Sequence, residues 1–450
     1  MREISDALGL EISPRVTGSG QLPSCYAVTD LAVHSFAAIG TALAGLMMEM
    51  GLTREPAPVT VDRRLASLWF GFSIHPQGWE LPPVWDPMAG DYETIDGWIR
   101  LHTNLPHHRQ AALRVLGTEP TRDSTAPAVR EWQKDDLEAA IVAQGGVAAA
   151  MHSRAEWQAN PQGMAVAAEP LIGWSDPVQS APRQWEGTAD RPLKGLRILD
   201  LTRVLAGPVA TRTLAGYGAE VLRIDPPGWD EANVIPEVTL GKRCAHLDLK
   251  TPQGREILED LLSQADILVH GYRPGALEAL GLDASRRRLL SPGLIEITLD
   301  AYGWTGPWAG RRGFDSLVQM SSGIADQGMN WASTDKPHPL PCQALDFATG
   351  YLMAAAAMVA LRKSLSGSVH SARFSLARTA ELLASYPAPE IQTFPMSSST
   401  DDLDEKIEET SWGPAKRLRP PLHGSGLIWG WDRQATELGA SLPQWAGRTP

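Results

Sequence analysis

Cysteine is scarce in this 450-residue chain, with only Cys25, Cys244 and Cys342, far apart and odd in number. They supply no disulfide framework and no metal-ligand pair, which suits a reducing compartment. Basic charge is also short. Forty Lys+Arg stand against 52 Asp+Glu, for a formal net charge of −12. That balance excludes the broad basic face of a nucleic-acid or anionic-membrane binder. An anionic small molecule would need a locally basic pocket. The opening, MREISDALGLEISPR, has no basic stretch followed by an apolar one, so no signal peptide is expected. The longest apolar run, Phe36 to Met48, is shorter than the roughly 18–20 residues of a membrane span. These absences predict a soluble cytoplasmic protein with no nucleic-acid or membrane partner.

What is present is ordinary in bulk: 43% hydrophobic and 20% charged residues, enough chain for two or three domains. Tryptophan is abundant, at 16 residues, many beside Gly or Pro, and is read mainly as loop-anchoring core, with a pocket role open for some.

Residues 1–85 form an N-terminal segment, poorly ordered over 1–20, with a buried helix over 28–50 capped by Thr29 or Asp30. Residues 86–175 read as a small α+β domain with a hairpin at Asp96-Gly97 and an amphipathic helix ending at Gly145. Residues 176–192, rich in Pro, Ser and charge, read as a linker. From 193 to 390, strands (LRILDL, EVLRID, DILVHG, LIEITLD) alternate with helices, the pattern of a doubly wound, Rossmann-like parallel sheet. Residues 391–450 form a tail, with 394–420 expected to be a mobile loop. An internal repeat runs beneath this order. VTDLAVHSFAAIGTALAGLM around Asp30 parallels ALDFATGYLMAAAAMVALRK around Asp346, and VDRRLASLWF around Leu65 parallels RFSLARTAEL around Leu376.

The loop after the first strand, LDLTRVLAGPVAT, has no Gly-x-Gly-x-x-Gly, which argues against a dinucleotide enzyme. Arg273, in GYRPG, follows the third of the strands above, at the carboxyl edge where open α/β sheets bind ligands, and its planar fork suits phosphate. Solvated surface charge is the other reading for it, as for Lys242, Arg243 and Arg223. His102, His107 and His108, in IRLHTNLPHHRQ, match no common zinc spacing and are read as a surface loop with no metal. Asp346 stands just before a helix, where backbone N–H groups favour an anion. It is either a cap or a functional carboxylate.

Together, LKGLRILDLTRVLAGPVATRTLAGYGAEVLRID, GKRCAHLDLKTPQGREILEDLLSQADILVHGYRPG, RRGFDSLVQMSSG and QALDFATGY resemble the class III CoA-transferases, the formyl-CoA and carnitine CoA-transferase type, which also contains the 2-methylacyl-CoA racemases. The resemblance is strong over about residues 193–380, weaker and out of order over 26–175. In the family the small domain follows the α/β half; here residues 86–170 precede it, as if the tail of one copy were fused to the head of a second.

The resemblance implies a homodimer that moves CoA between an acyl-CoA and a small carboxylic acid through Asp346, with no permanently bound cofactor. It implies a CoA site from Thr202, Arg203, Val204, Leu205 and Ala206, from Gly271, Tyr272 and Arg273, and from Arg223, Lys242 and Arg243. An ordinary Asp is ionised at pH 7 and can attack a thioester, unless burial raises it strongly. The racemases carry a His where this chain has Phe314, a departure that favours transfer over α-proton exchange. Asp315 beside it reads as a cap, and Asp30 as a structural relic. Racemase or related CoA-thioester chemistry, and a catalytically impaired subunit of the same fold, are the alternatives.

Overall fold

The computed structural model describes residues 1–390, 396–424 and 426–447. The chain begins with a short helix over Arg2–Leu8 and a strand over Arg15–Thr17, so the first 20 residues are built rather than loose. Helix α1 (Val28–Glu49) follows, its cap Ala27 rather than Thr29 or Asp30. Strand β1 (Thr60–Asp62) leads into helix α2 (Arg63–Leu68).

The small domain pairs β2 (Gly90–Glu93), β3 (Trp98–Leu101) and β4 (Ala148–Ala150) antiparallel, with the expected turn at Asp96-Gly97. Gly97 adopts φ 153, the conformation that the tight connection requires. Helix α3 (Pro106–Leu116) and two further helices cover this sheet around Tyr92, Ile99, Leu101, Leu137 and Ile141.

Strand β5 (Gly173–Trp174) leaves the small domain to join the large sheet. The segment expected as a linker also holds structure, since Val178–Gln179 pairs with Ser368–Val369. The α/β half then runs β6 (Arg197–Leu201), α4 (Ala206–Gly216), β7 (Glu220–Asp225), β8 (Lys242–His246), β9 (Ile267–His270), β10 (Ile295–Asp300), α5 (Asp315–Ser321), α6 (Ala344–Ser364), β11 (Ala372–Ser375) and α7 (Leu376–Ala384). The sheet order is β8-β7-β6-β9-β10-β11-β5, parallel throughout except for β5. Direction reverses between β6 and β9, and that switch point opens a crevice at the strands' carboxyl ends.

Each central strand is apolar on both faces because both are covered. In β6, Ile198 faces the helices α1, α4 and α6, whereas Leu199 and Leu201 face the helix over Pro252–Ser263. Helices α1 and α6 are long and apolar enough to cross a membrane by length and composition, but here they pack on one another inside the core.

The tail is largely built as well. Strands β12 (Glu408–Thr410) and β13 (Gly413–Arg417) pair with each other and with Ile74–Pro76, correcting the expected mobile loop; of that loop, residues 394–395 lie outside the described residues. Arg417 pins this sheet through Glu408 at 2.6 Å and the fully buried Glu237 at 3.0 Å. Farther on, the indole N–H groups of Trp429 and Trp431 donate to the carbonyls of Thr213 and Arg212 on α4.

Candidate active site

The switch-point crevice is a cleft of about 400 Å³. Its walls gather the loop Thr202–Ala206 after β6, the loop Gly271–Arg273 after β9, Asp300 at the end of β10, Arg311 to Phe314 before α5, and Asp346 in the first turn of α6. The small domain adds Leu105, His107 and His108. Sequence reasoning thus placed the nucleophile candidate and the two loops in one site. It missed Trp229, Asp300, Arg311, Arg312 and the two histidines.

Asp346 reaches the cleft because α4 and α6 approach closely. One turn along from Asp346 is Gly350, where a Cβ would lie 2.4 Å from the Ala206 carbonyl oxygen. This close fit brings the Ala206 N–H, at the start of α4, to the Asp346 carboxylate. Only 7% of Asp346 is exposed. Burial, and then the charge of Asp315, raise its carboxyl well above the usual range, against the Ala206 N–H. The expectation of an ordinary, ionised Asp is therefore corrected by the packing around it.

Asp315 is fully buried and does cap a helix, but the helix is α6 and not its own. One of its oxygens accepts the N–H groups of Leu345 at 2.8 Å and Asp346 at 2.9 Å; the other accepts the amide of Gln319. Burial pushes Asp315 up to about 6 despite those donors. Two carboxyls thus share one dry end of a helix, an arrangement in which both cannot readily be charged.

The loop after β6 is held from behind. Val204 adopts φ 65, a strained conformation for a β-branched residue. Its N–H donates to Glu231 at 2.8 Å, and Glu231 in turn accepts from Arg223 at 2.8 Å. Arg223 also pairs with Asp225 at 2.8 Å, and it is fully buried. Lys242, equally buried, donates to Asp200 and to the Pro208 carbonyl, each at 2.9 Å. Asp200 then accepts the Thr202 N–H at 2.9 Å. Burial opposes the charge on Asp200, yet Lys242 and Arg223 hold its carboxyl below the usual value. Arg223 and Lys242 therefore do not present free charge to the cleft, as the sequence had suggested; they fix the Thr202–Ala206 loop that lines it. Arg243 is placed differently again, pairing with Glu220 at 3.2 Å outside the cleft. Lys242 and Arg243 fall behind and beside the wall because KRCAH is a strand, whose alternation turns Lys242 inward, and Arg223 is likewise a buried residue of the strand EVLRID.

Four guanidinium groups line the cleft. Arg203 stacks over Trp229 at 4.5 Å and lies 3.6 Å from Asp225, and Arg311 pairs with Glu138 at 2.7 Å. Arg273 and Arg312 make no ion pair among the described residues; burial and then the charge of Arg273 lower Arg312. Despite the acidic chain, this cleft is locally basic, a setting for a polyanion. A second hollow of about 200 Å³ adjoins it across Arg203, Tyr272 and Ala276.

His107 is exposed, as expected, but on helix α3 rather than a loop, whereas His102 and His108 are buried. His102 stacks on Phe314 at 4.0 Å and His108 meets the same ring edge-on at 5.8 Å. Burial pushes each imidazole down to about 3, so both are neutral at pH 7. Both ring nitrogens of His108 lack a hydrogen-bond partner among the described residues. No group of three or more His, Cys, Asp or Glu suited to a metal occurs among the described residues.

Residues 193–406 match CoA-transferase family III. A probable fatty acyl-CoA transferase of Mycobacterium tuberculosis is 35% identical over 185 residues, covering 38% of this chain and 46% of that relative. An acyl-CoA transferase of Gibberella moniliformis is 26% identical over 366 residues, covering 75% of this chain and 63% of its own length. The succinyl-CoA:glutarate CoA-transferase of Homo sapiens is 36% identical over 147 residues, 30% of this chain and 34% of that one. A crystal structure of Rv3272 from M. tuberculosis aligns with a TM-score of 0.40 at 34% identity, over 43% of this chain and 56% of that chain. The aligned part of the chain thus spans between about a third and two thirds of these curated relatives. Residues 193–406, which hold the switch-point loops and Asp346, are thus the part of this chain that is similar to CoA-transferase family III.

Proposed function

We propose that the chain transfers CoA between an acyl-CoA thioester and a carboxylic acid, with Asp346 as covalent carrier. The observation that carries this reading is the meeting of Asp346, the Thr202–Ala206 loop and Arg273, which has no ion pair among the described residues, in one basic cleft. The CoA phosphates would lie against Arg273 and Arg312. Asp346 attacks the thioester carbonyl, forming a mixed anhydride and releasing CoA thiolate. The thiolate attacks the aspartyl carbonyl, freeing the first acid and leaving an aspartyl-CoA thioester. The acceptor carboxylate then attacks that thioester, releasing thiolate again, and the thiolate takes the new acyl group and restores Asp346. Attack requires the ionised carboxylate, so turnover should rise as Asp346 loses its proton.

The test is exchange of labelled CoA into an acyl-CoA, with hydroxylamine trapping of the enzyme thioester at Asp346. Exchange without a trappable intermediate removes the covalent step; absence of both removes the reading. The same proposal includes a homodimer in a reducing, cytoplasmic setting, with Cys25, Cys244 and Cys342 free.

His108 favours a second reading, α-proton exchange, because its unpartnered imidazole stands beside the phenyl ring that replaces the racemase His. Burial keeps that imidazole neutral and makes it a poor proton acceptor, which weighs for transfer. Incubation of a 2-methylacyl-CoA in deuterated water separates the two: α-deuterium above the no-enzyme rate supports exchange.

A further inference from the structure

We propose that Asp300 is a substrate-contacting residue, its Oδ2 donating a hydrogen bond to the acyl oxygen of a CoA thioester in the cleft. The inference rests on the CoA reading of that cleft and adds a residue to it. Asp300 ends β10, on the sheet edge where the other strand-end loops meet the ligand space, and it lines the cleft with Asp346. One oxygen has a local task, since Oδ1 accepts the Gly303 N–H at 2.9 Å and closes the turn after the strand. Oδ2 has no partner among the described residues, although it is shielded from solvent. A buried carboxyl oxygen without a partner costs about 1–3 kcal/mol, and a bound ligand is one way to recover that cost.

The other carboxylates buried at this sheet show what a structural Asp looks like here. Asp200 is paired with Lys242 and Asp225 with Arg223. No ion pair holds Asp300 among the described residues. The charges that reach it are those of Glu169, from the segment before β5, and Arg373, on the neighbouring β11. Arg373 lies over the Trp304 ring at 5.5 Å, and Glu169 is engaged by the N–H groups of Trp304 and Thr305. Arg273, Arg312, His107, His108 and Asp346 share the cleft. Burial, with Glu169 adding to it, pushes the Asp300 carboxyl up to about 7, against the Gly303 N–H and Arg373. Near neutral pH it is substantially protonated, with Oδ2 the oxygen left to carry the hydrogen. A neutral carboxylic acid in a dry site is a strong donor to an oxygen that gains negative charge, and no proton need be transferred.

Two CoA derivatives test this: a ketone in which CH₂ replaces the thioester sulfur, and an S-alkyl-CoA with no carbonyl. Affinities for wild type, Asp300→Ala and Asp300→Asn are followed by Trp fluorescence between pH 6 and 8.5. At pH 6, Asp300→Ala should weaken the ketone about tenfold and leave the S-alkyl compound unchanged. Wild type should lose its preference for the ketone as pH rises through about 7. Asp300→Asn, neutral at every pH and still a donor, should keep the preference across the range. Equal ketone binding by wild type and Asp300→Ala, or a wild-type pH dependence in Asp300→Asn, overturns the proposal. If wild type binds neither compound, the CoA reading itself fails and takes this inference with it; binding of S-alkyl-CoA alone separates the two failures.

Discussion

Asp30 and Asp346 begin two helices of nearly equal length whose surroundings make one exposed and the other buried. Both helices open on the same inverse γ-turn. Ala27 has φ −77 and ψ 55, Gln343 has φ −77 and ψ 63, and the turns are closed by Val28 N–H to Tyr26 and Ala344 N–H to Cys342, each at 2.8 Å. Each helix is followed by a strand that runs straight into a capped helix, through Asp62 in one case and Ser375 in the other. The capping residues align Asp62 with Ser375, two residues away from the Leu65–Leu376 match read in the sequence.

The difference lies one turn along. Gly350 admits the start of α4, whereas the corresponding His34 fills its space and bonds the Tyr386 hydroxyl at 2.8 Å. Among the described residues, Asp30 consequently meets no helix N-terminus as Asp346 does. Its side chain is 40% exposed and pairs with Arg63 at 2.5 Å. A shared local start does not make a shared site; the neighbour that the helix can accept decides.

Substitution at Asp346 should break the comparison most sharply. Asp346→Asn should lower kcat for CoA transfer by at least ~10³-fold, more than 4 kcal/mol of barrier, with near-native thermal stability. Retention of more than a few per cent of activity would sink the covalent reading. Next is the glycine that distinguishes the helices. Gly350→Ala should push α4 outward, costing roughly 1–3 kcal/mol in urea unfolding and at least tenfold in kcat, because the obstruction is backbone rather than a flexible tip. Wild-type stability and rate would mean that the close approach is incidental.

Asp315→Asn should act through pH. Removing a like charge lowers the Asp346 value, so the acid limb of kcat/KM should move to lower pH. Stability carries the same signature. Asp315 binds its proton more tightly folded than unfolded, so its stabilisation is complete below about pH 4 and is lost as pH rises through about 6. That slope should disappear in the variant, and an unmoved acid limb would detach Asp315 from the nucleophile. The smallest effect is expected at Asp30. Asp30→Ala removes a partly exposed ion pair and should change stability by no more than ~1 kcal/mol, with kcat within twofold of wild type. Lost turnover in a stably folded Asp30→Ala would put the active site at the wrong helix.

Much of this was legible in the chain. Double-sided apolar strands such as Arg197–Leu201 and Ile267–His270, alternating with helices, announce a parallel sheet, and a parallel sheet has a switch point. The loops after β6 and β9 and the Asp before an Ala-rich helix were therefore visible as site material. Arg311 and Arg312 stand in RRGFDSLVQMSSG, a segment whose family likeness marks it as site material. The short strand Lys242–His246 does not stand out in the chain because its two leading cations mask the pattern, so the alternation that turns Lys242 inward shows only in the structure.

Composition, periodicity and the local motifs determined the sheet, the two long apolar helices and the loops that border the cleft. These depend on interactions between near neighbours in sequence, which is where such signals reside. Tertiary structure alone decided which cations are spent internally, which Asp is buried beside a helix N-terminus, and that His108 arrives from the small domain to face Phe314. Several of those outcomes join residues far apart in the chain, Asp346 with Ala206 and His108 with Phe314 among them, and the reason is physical. A carboxyl or imidazole is tuned by what lies within a few ångströms of it, and chain order says nothing about that distance until the layers have packed.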